Sequence, residues 1–204
     1  MPKDKTQSHI RIIEAAKMEF LEYGFADASL RRIASKAGIQ VSGLYKHFSS
    51  KEEMFASLVD PVIEGLMECF RGIEGNYFDE LDNMDRDHMW ENQRETVKAM
   101  KYIYEHIDEF TLIICKSRGT RYESFTHEIA LQEEATTLRY MNELRKRNIP
   151  VRDVDKEEFH LLVTASVDAI FQAVVHGFSK KRAMHYAETL EKFYLPAWKA
   201  LFKI

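Results

Sequence analysis

The chain has 204 residues, 45% of them hydrophobic, and a formal net charge of −4 at pH 7, which is ample apolar material for a core spread over one or two domains. Four prolines, eight glycines and little Val/Thr alternation point to a mostly helical protein. No run of eighteen apolar residues predicts a membrane span, MPKDKTQSH carries no hydrophobic signal segment (hence an expected place in the cytosol), and Cys69 and Cys115 match no metal or redox spacing.

In chain order, residues 1–7 are polar, and Ile12, Ile13, Ala16, Phe20 and Leu21 then mark an amphipathic helix from about Ser8 to Tyr23 that stops at Gly24. Ser29 is placed to cap a second, short helix with its hydroxyl oxygen. Leu30, Ile33, Ala34 and Ala37 give that helix one apolar stripe. Gly38 follows where a left-handed residue ends a helix, and Ile39 plugs the turn. A third short helix is expected from about Val41 to His47, with Leu44 and Phe48 facing inward. Two short helices joined by a glycine-centred turn form a helix-turn-helix, whose second helix can enter a DNA major groove.

Charge is divided unevenly. Residues 1–51 hold nine Lys/Arg against five Asp/Glu, a net of +4, and the remainder holds twenty against twenty-eight, a net of −8. A basic head on an acidic body presents one face to phosphate. Between Ser29 and Lys51 the five cations Arg31, Arg32, Lys36, Lys46 and Lys51 stand with no acidic residue among them.

The string AGIQVSGLYKHFSSKEEMF resembles the DNA-binding signature of the tetracycline-repressor (TetR) family, usually A-G-V-S-x-G-T-L-Y-x-H-F-x-S-K-E-E-L-F. The specific likeness covers roughly residues 8–60. It implies an all-α protein in which a three-helix helix-turn-helix head (1–52) reads DNA and a larger helical body (53–204) binds an effector and dimerises. By that resemblance Tyr45, His47 and Lys51 contact phosphate, and Ser29 and Arg31 touch backbone or a neighbouring base. Lys46 adds charge against the duplex. Gln40 replaces a common capping Ser or Thr; its amide suits adenine, and capping should be weaker for it. Val41, through a thymine methyl, and Ser42 complete the base-reading candidates. Gly43 replaces a Thr, removes a hydroxyl and costs about 1 kcal/mol in helix propensity.

Beyond the head, Lys51-Glu52-Glu53 opens a long helix with Phe55, Leu58, Val59, Val62, Leu66 and Phe70 in helical period, and Pro61 predicts a kink or restart. Residues 72–87, rich in glycine and acid, read as a connection with one helical turn at Tyr77–Leu81. Helices are then expected over His88–Ile107, over Glu109–Lys116 with Asp108 as its cap, and over Tyr122–Arg147. From Asp155 to Phe178 the chain is apolar around most of its circumference, Asp168 being the only charge after Glu158, and Ala165, Ala169, Ala173 and Gly177 form a small-residue stripe. Such a helix needs cover on all sides. With the last helix, about Lys181 to Phe202, and a pair from a twin it would make a four-helix bundle across a two-fold axis, the homodimer that the resemblance implies; a large monomeric core is the alternative.

The resemblance implies a pocket for a small-molecule effector. Trp90, Met100, Tyr104, Phe110, Phe125 and Phe171 are candidate walls, with His127, Asp168, Gln172 and His176 as polar anchors; Asp168, placed in an apolar helix, calls for a partner. An enzyme is the competing class. His127-Glu128 begins like a zinc-protease helix but position 131 is leucine, and neither a phosphate-binding glycine loop nor a G-x-S-x-G turn occurs. The expectation is therefore no catalysis, no cofactor and no metal. A DNA-binding protein without an effector is the remaining alternative.

Overall fold

The structure, a computed structural model, describes residues 5–83 and 94–203, with backbone alone for residues 5, 76–80, 82 and 83. The described residues form helices α1 (Lys5–Asp27), α2 (Leu30–Lys36), α3 (Val41–Leu44), α4 (Lys51–Asn83), α5 (Glu95–Glu105), α6 (Ile107–Cys115), α7 (Phe125–Lys146), α8 (Lys156–Val175) and α9 (Lys180–Phe202). No strand occurs among them, so the fold is all-α.

Two compact units result. The first comprises residues 1–65 and 106–123. Its core is built from Ile12, Ala16 and Phe20 of α1, Ile33 and Ala34 of α2, Leu44, Phe48 and the first turns of α4. Phe20, Phe25 and Phe55 meet ring to ring at 5.2–6.0 Å. At Gly24 (φ 74°) α1 leaves helical geometry, and the Phe25 N–H donates to Lys116 O at 2.8 Å beyond the end of α6. α6 begins at Ile107, so Asp108 lies in its first turn and is not its cap: the Asp108 and Glu109 carboxylates both take the Lys17 ammonium, at 2.9 and 2.8 Å.

The second unit comprises residues 66–105 and 124–204, in which α7 packs on α8, α5 on α9 and α8 on α9. Asp155 caps α8 by accepting the Glu157 and Glu158 N–H groups at 2.9 and 3.0 Å. Tyr104 of α5 is a buried peg whose hydroxyl donates to Ala173 O of α8 at 2.9 Å.

Several expectations need correction. α4 runs unbroken through Pro61 and through residues 72–83, where a connection was expected. Pro61 lies inside the helix and forfeits the bond its missing N–H would give Ser57 O, and an added Cβ at Gly72 or Gly75 would meet nothing within 4 Å, so those glycines mark no turn or close approach. α5 starts at Glu95 and ends before a bend at His106; the expected stretch from His88 to Gln93 lies outside the described residues. α8 is not covered all round within its own chain, since Leu161 is 67% exposed and Leu162 and Val175 about half exposed. By length and composition α8 could cross a membrane, with a mean hydropathy of 1.4, although the expectation was of no such helix. Its opposite face, with Phe159, Val163, Val167 and Phe171, is buried in the unit.

Candidate nucleic-acid interface and effector cavity

The α2–turn–α3 segment is assembled by local chemistry. Ser29, in extended backbone, accepts the Arg32 N–H on its hydroxyl at 3.5 Å. Gly38 takes φ +67°, a value disfavoured for residues with a Cβ, and lets the Ile39 N–H return to Ala34 O at 3.0 Å. Gln40 stands at the start of α3 without a side-chain capping bond, as expected for an amide in place of a hydroxyl. α3 is a single turn; residues 45–47 continue as turn rather than helix.

Arg31, Gln40, Ser42, Tyr45 and Lys46 are exposed, and Ser29, Val41, His47 and Lys51 are half-buried. Tyr45 is 55% exposed, so it is not a packed core aromatic. His47 lies 5.7 Å from the His9 ring, which in turn stacks on Phe48 at 4.9 Å.

Lys51 has a structural task. Its ammonium donates to Phe25 O at 2.7 Å and to Ala26 O and Ala28 O at 3.3 Å, and it sits 4.5 Å from the Phe25 ring. It ties the start of α4 to the carbonyls that follow Gly24, a structural role beside the phosphate contact expected of it. Arg32 and Lys36 are similarly engaged, by a residue that sequence reasoning passed over: Glu19.

Glu19 is fully buried on α1. It accepts the Ser29 N–H at 3.0 Å and Arg32 Nε at 2.6 Å, with Lys36 Nζ 3.6 Å away. Burial alone would push its carboxyl up, but the Ser29 N–H, Arg32 and Lys36 together outweigh it and hold the carboxyl below the usual range. One buried carboxylate thus fixes where α2 begins. The signal was available: Ile12, Ala15, Ala16, Glu19 and Phe20 share one helical face, and a lone acid on an apolar face needs cationic partners.

In the second unit, α4, α5, α7, α8 and α9 enclose a cavity of about 240 Å³. Of the ten residues expected to line an effector pocket, Phe171 alone does so among those described. Met100 and Tyr104 are core, and Phe125 packs edge-on to Phe171 at 5.8 Å. Phe110 belongs to the core of the other unit. His127, Asp168, Gln172 and His176 are exposed, so Asp168 has no burial to offset. Trp90 lies outside the described residues. Buried aromatic side chains do not by themselves distinguish wall from core, which is why the sequence pattern does not single out the lining of this cavity.

The walls are mostly apolar, yet three carboxylates from three helices reach them: Glu95, Glu133 and Glu191. Glu191 accepts the Val97 N–H at 3.1 Å. Glu133 takes a long bond, 3.4 Å, from the Thr137 hydroxyl. Glu133 is exposed overall and borders the cavity. Burial raises its pKa. Glu95 Oε1 is inaccessible and has no hydrogen-bond partner. Burial first, and then Glu133, push the Glu95 carboxyl up to about 8, although it opens a helix, where a negative charge is ordinarily favoured.

A raised carboxyl binds its proton more tightly folded than unfolded. Its stabilising effect is complete below the unfolded value near 4.5 and is lost as pH climbs toward 8. Glu95→Gln is therefore expected to flatten the fall of stability between pH 5 and pH 8 by about 2 kcal/mol, read from denaturant unfolding of both proteins. Parallel curves would show that Glu95 ionises freely.

A helix-turn-helix with an exposed second helix, attached to a helical body, defines the chain as a DNA-binding transcriptional regulator. Residues 12–58 match the family described as bacterial regulatory proteins, tetR family. The chain is 27% identical over 175 residues to the probable HTH-type transcriptional regulator ArpR of Pseudomonas putida, covering 82% of this chain and 80% of that one. It is 27% identical over 177 residues to the HTH-type transcriptional regulator TtgR, also of Pseudomonas putida, covering 83% and 81%. The crystal structure of the TetR family regulator PfmR from Thermus thermophilus superposes with a TM-score of 0.59 at 21% identity, over 89% of this chain and 92% of that one. Residues 12–58 thus carry the tetR-family DNA-binding region, and over most of its length the chain is similar to regulators of that kind.

Proposed function

We propose that the protein is a homodimeric repressor that binds an inverted-repeat operator and releases it when a small molecule occupies the body cavity. The carrying observation is the solvent-facing segment at α3, where Gln40, Ser42, Tyr45 and Lys46 lie exposed beside one another. In this reading residues 1–52 read DNA and 53–204 dimerise and take the effector. Gln40, Val41 and Ser42 read base edges. Ser29, Arg31, Tyr45, Lys46 and His47 hold phosphate, and Lys51 holds the head together.

A head this small contacts few base pairs, so specificity requires two heads spaced by one helical turn of DNA, about 34 Å. The exposed apolar side chains Leu161, Leu162 and Val175 of α8 and Phe193 of α9, the last 69% exposed, support pairing of these helices with their copies in a twin. Asp168 and Gln172 lie on the same exposed stripe as Leu161 and Ala165, which supports assigning them to that interface rather than to a ligand site.

Gel shift of DNA upstream of the protein's own gene, with and without candidate effectors, tests the reading; absence of any shift across that region rejects it. Leu161→Arg is expected to convert the dimer to monomer in analytical ultracentrifugation and to weaken operator binding with it. A dimer that survives the substitution would move the interface elsewhere.

A further inference from the structure

We propose that the cavity selects a small lipophilic cation, an amine or quaternary ammonium, whose positive centre lies against Glu95 and Glu133. This deepens the effector reading above and rests on it. Three carboxylates line the cavity, and two of them are under-used. Glu191 is occupied by the α5 backbone, Glu133 has one long bond, and Glu95 Oε1 has none. The nearby cations do not neutralise them: the Arg94 guanidinium turns to Glu188 at 3.0 Å on the exposed rim, and the exposed Lys98 acts on Glu95 only through space.

An unpartnered carboxyl among apolar walls is costly unless it keeps its proton or gains a cation. The rings of Phe70, Tyr140, Phe171, Tyr194 and Trp198 line the same space. They supply apolar contact for a hydrocarbon body and electron-rich faces for an ammonium. A carboxylate ligand of the same size would instead face three acids. The site therefore separates cations from anions by charge, and from neutral molecules by the worth of one ion pair out of water.

Binding also moves protons. The groups facing Glu95 are Arg94 just before its helix, Lys98 on α5, Glu133 on α7 and Glu191 on α9. An arriving cation displaces the proton that Glu95 keeps near neutral pH, so affinity rises with pH until that carboxyl is fully ionised.

The test uses the full-length protein and three probes of equal chain length: octyltrimethylammonium, 1-octanol and octanoate. Calorimetry in buffers of different ionisation enthalpy reads affinity and proton release together. The expected result is binding of the ammonium at least tenfold tighter than the alcohol, no binding of octanoate, and proton release with the ammonium alone. Glu95→Gln with Glu133→Gln should lose the tenfold preference and the proton release while 1-octanol binds as before. The proposal is overturned if octanoate or 1-octanol matches the ammonium, if the ammonium does not bind, or if the double variant keeps its preference. Operator affinity measured alongside separates the two readings. An ammonium that binds with the expected preference yet leaves operator affinity unchanged upholds the charge assignment and rejects the effector role.

Discussion

Replacing Tyr45 and Lys46 together by alanine is expected to lower operator affinity about a thousandfold at physiological salt and to leave the fold intact. Both side chains are exposed and neither belongs to the core of the head, so their loss costs no packing. Each contact to a phosphate contributes roughly 1 kcal/mol net, and a symmetric dimer makes each twice, giving about 4 kcal/mol, or a thousandfold. The loss has a second signature. Lys46, counted in both subunits, accounts for about two of the counterions released on binding, so the slope of log affinity against log salt becomes shallower by about 2. Tyr45 carries no charge and leaves that slope alone, and the two single variants are thereby told apart. Lys51→Ala should behave differently from either. It strips three carbonyls of their donor and shows first as a lower melting temperature. Fluorescence anisotropy across a salt series, with melting curves of each variant, reads all of this. Operator affinity unchanged in the double variant would mean that α3 does not face the duplex.

The contrast between Tyr45 and Lys51 shows where sequence reasoning reaches. Ser29, Gly38 and Gln40 act on backbone groups within a few residues of themselves, so their roles as cap, left-handed turn and weak cap can be read from the string. Lys51 reaches carbonyls 23 to 26 residues earlier in the chain, and no local pattern shows that a loop will bring them to it. The same limit separates α4 from the cavity. Residues 72–83 look like a loop because Gly, Asn and Asp are weak helix formers, yet the helix continues, since propensity is only a weak prior. Glu95, Glu133 and Glu191 each sit on a helix with ordinary charged neighbours, and only the packing of α5, α7 and α9 turns three acids far apart in sequence into one site. Asp168 shows the reverse error: its apolar helix implied burial, but the exposed stripe of α8 is where it lies.

Glu19 should be the residue on which the geometry of the head most depends. Glu19→Gln keeps the size and one acceptor oxygen, but it removes the charge that Arg32 and Lys36 face. Deleting one partner of a buried ion pair costs about 3–5 kcal/mol. Arg32 and Lys36 are each more than a third exposed, so water recovers part of the loss. The remaining expectation is about 2 kcal/mol, a fall of roughly 4–8 °C in melting temperature for a chain of this size. The pH dependence identifies the cause. The folded carboxyl is held below its unfolded value, so the stability it contributes is present above about 4.5 and is lost as pH falls through the folded value. Wild type and variant should therefore converge in acid and differ at pH 7 with wild type the more stable, whereas in the Glu95 pair, which also converges in acid, wild type becomes the less stable as pH rises. A cavity or a misfolded variant would lower stability equally at every pH. Because the same carboxylate receives the Ser29 N–H, the variant also loosens the start of α2, and the position of α3 with it. Operator affinity should fall in Glu19→Gln although Glu19 is buried and touches no DNA, and the salt slope should stay unchanged because no phosphate contact has been removed. Loss of affinity with a constant slope separates a group that positions the reading helix from one that meets the duplex.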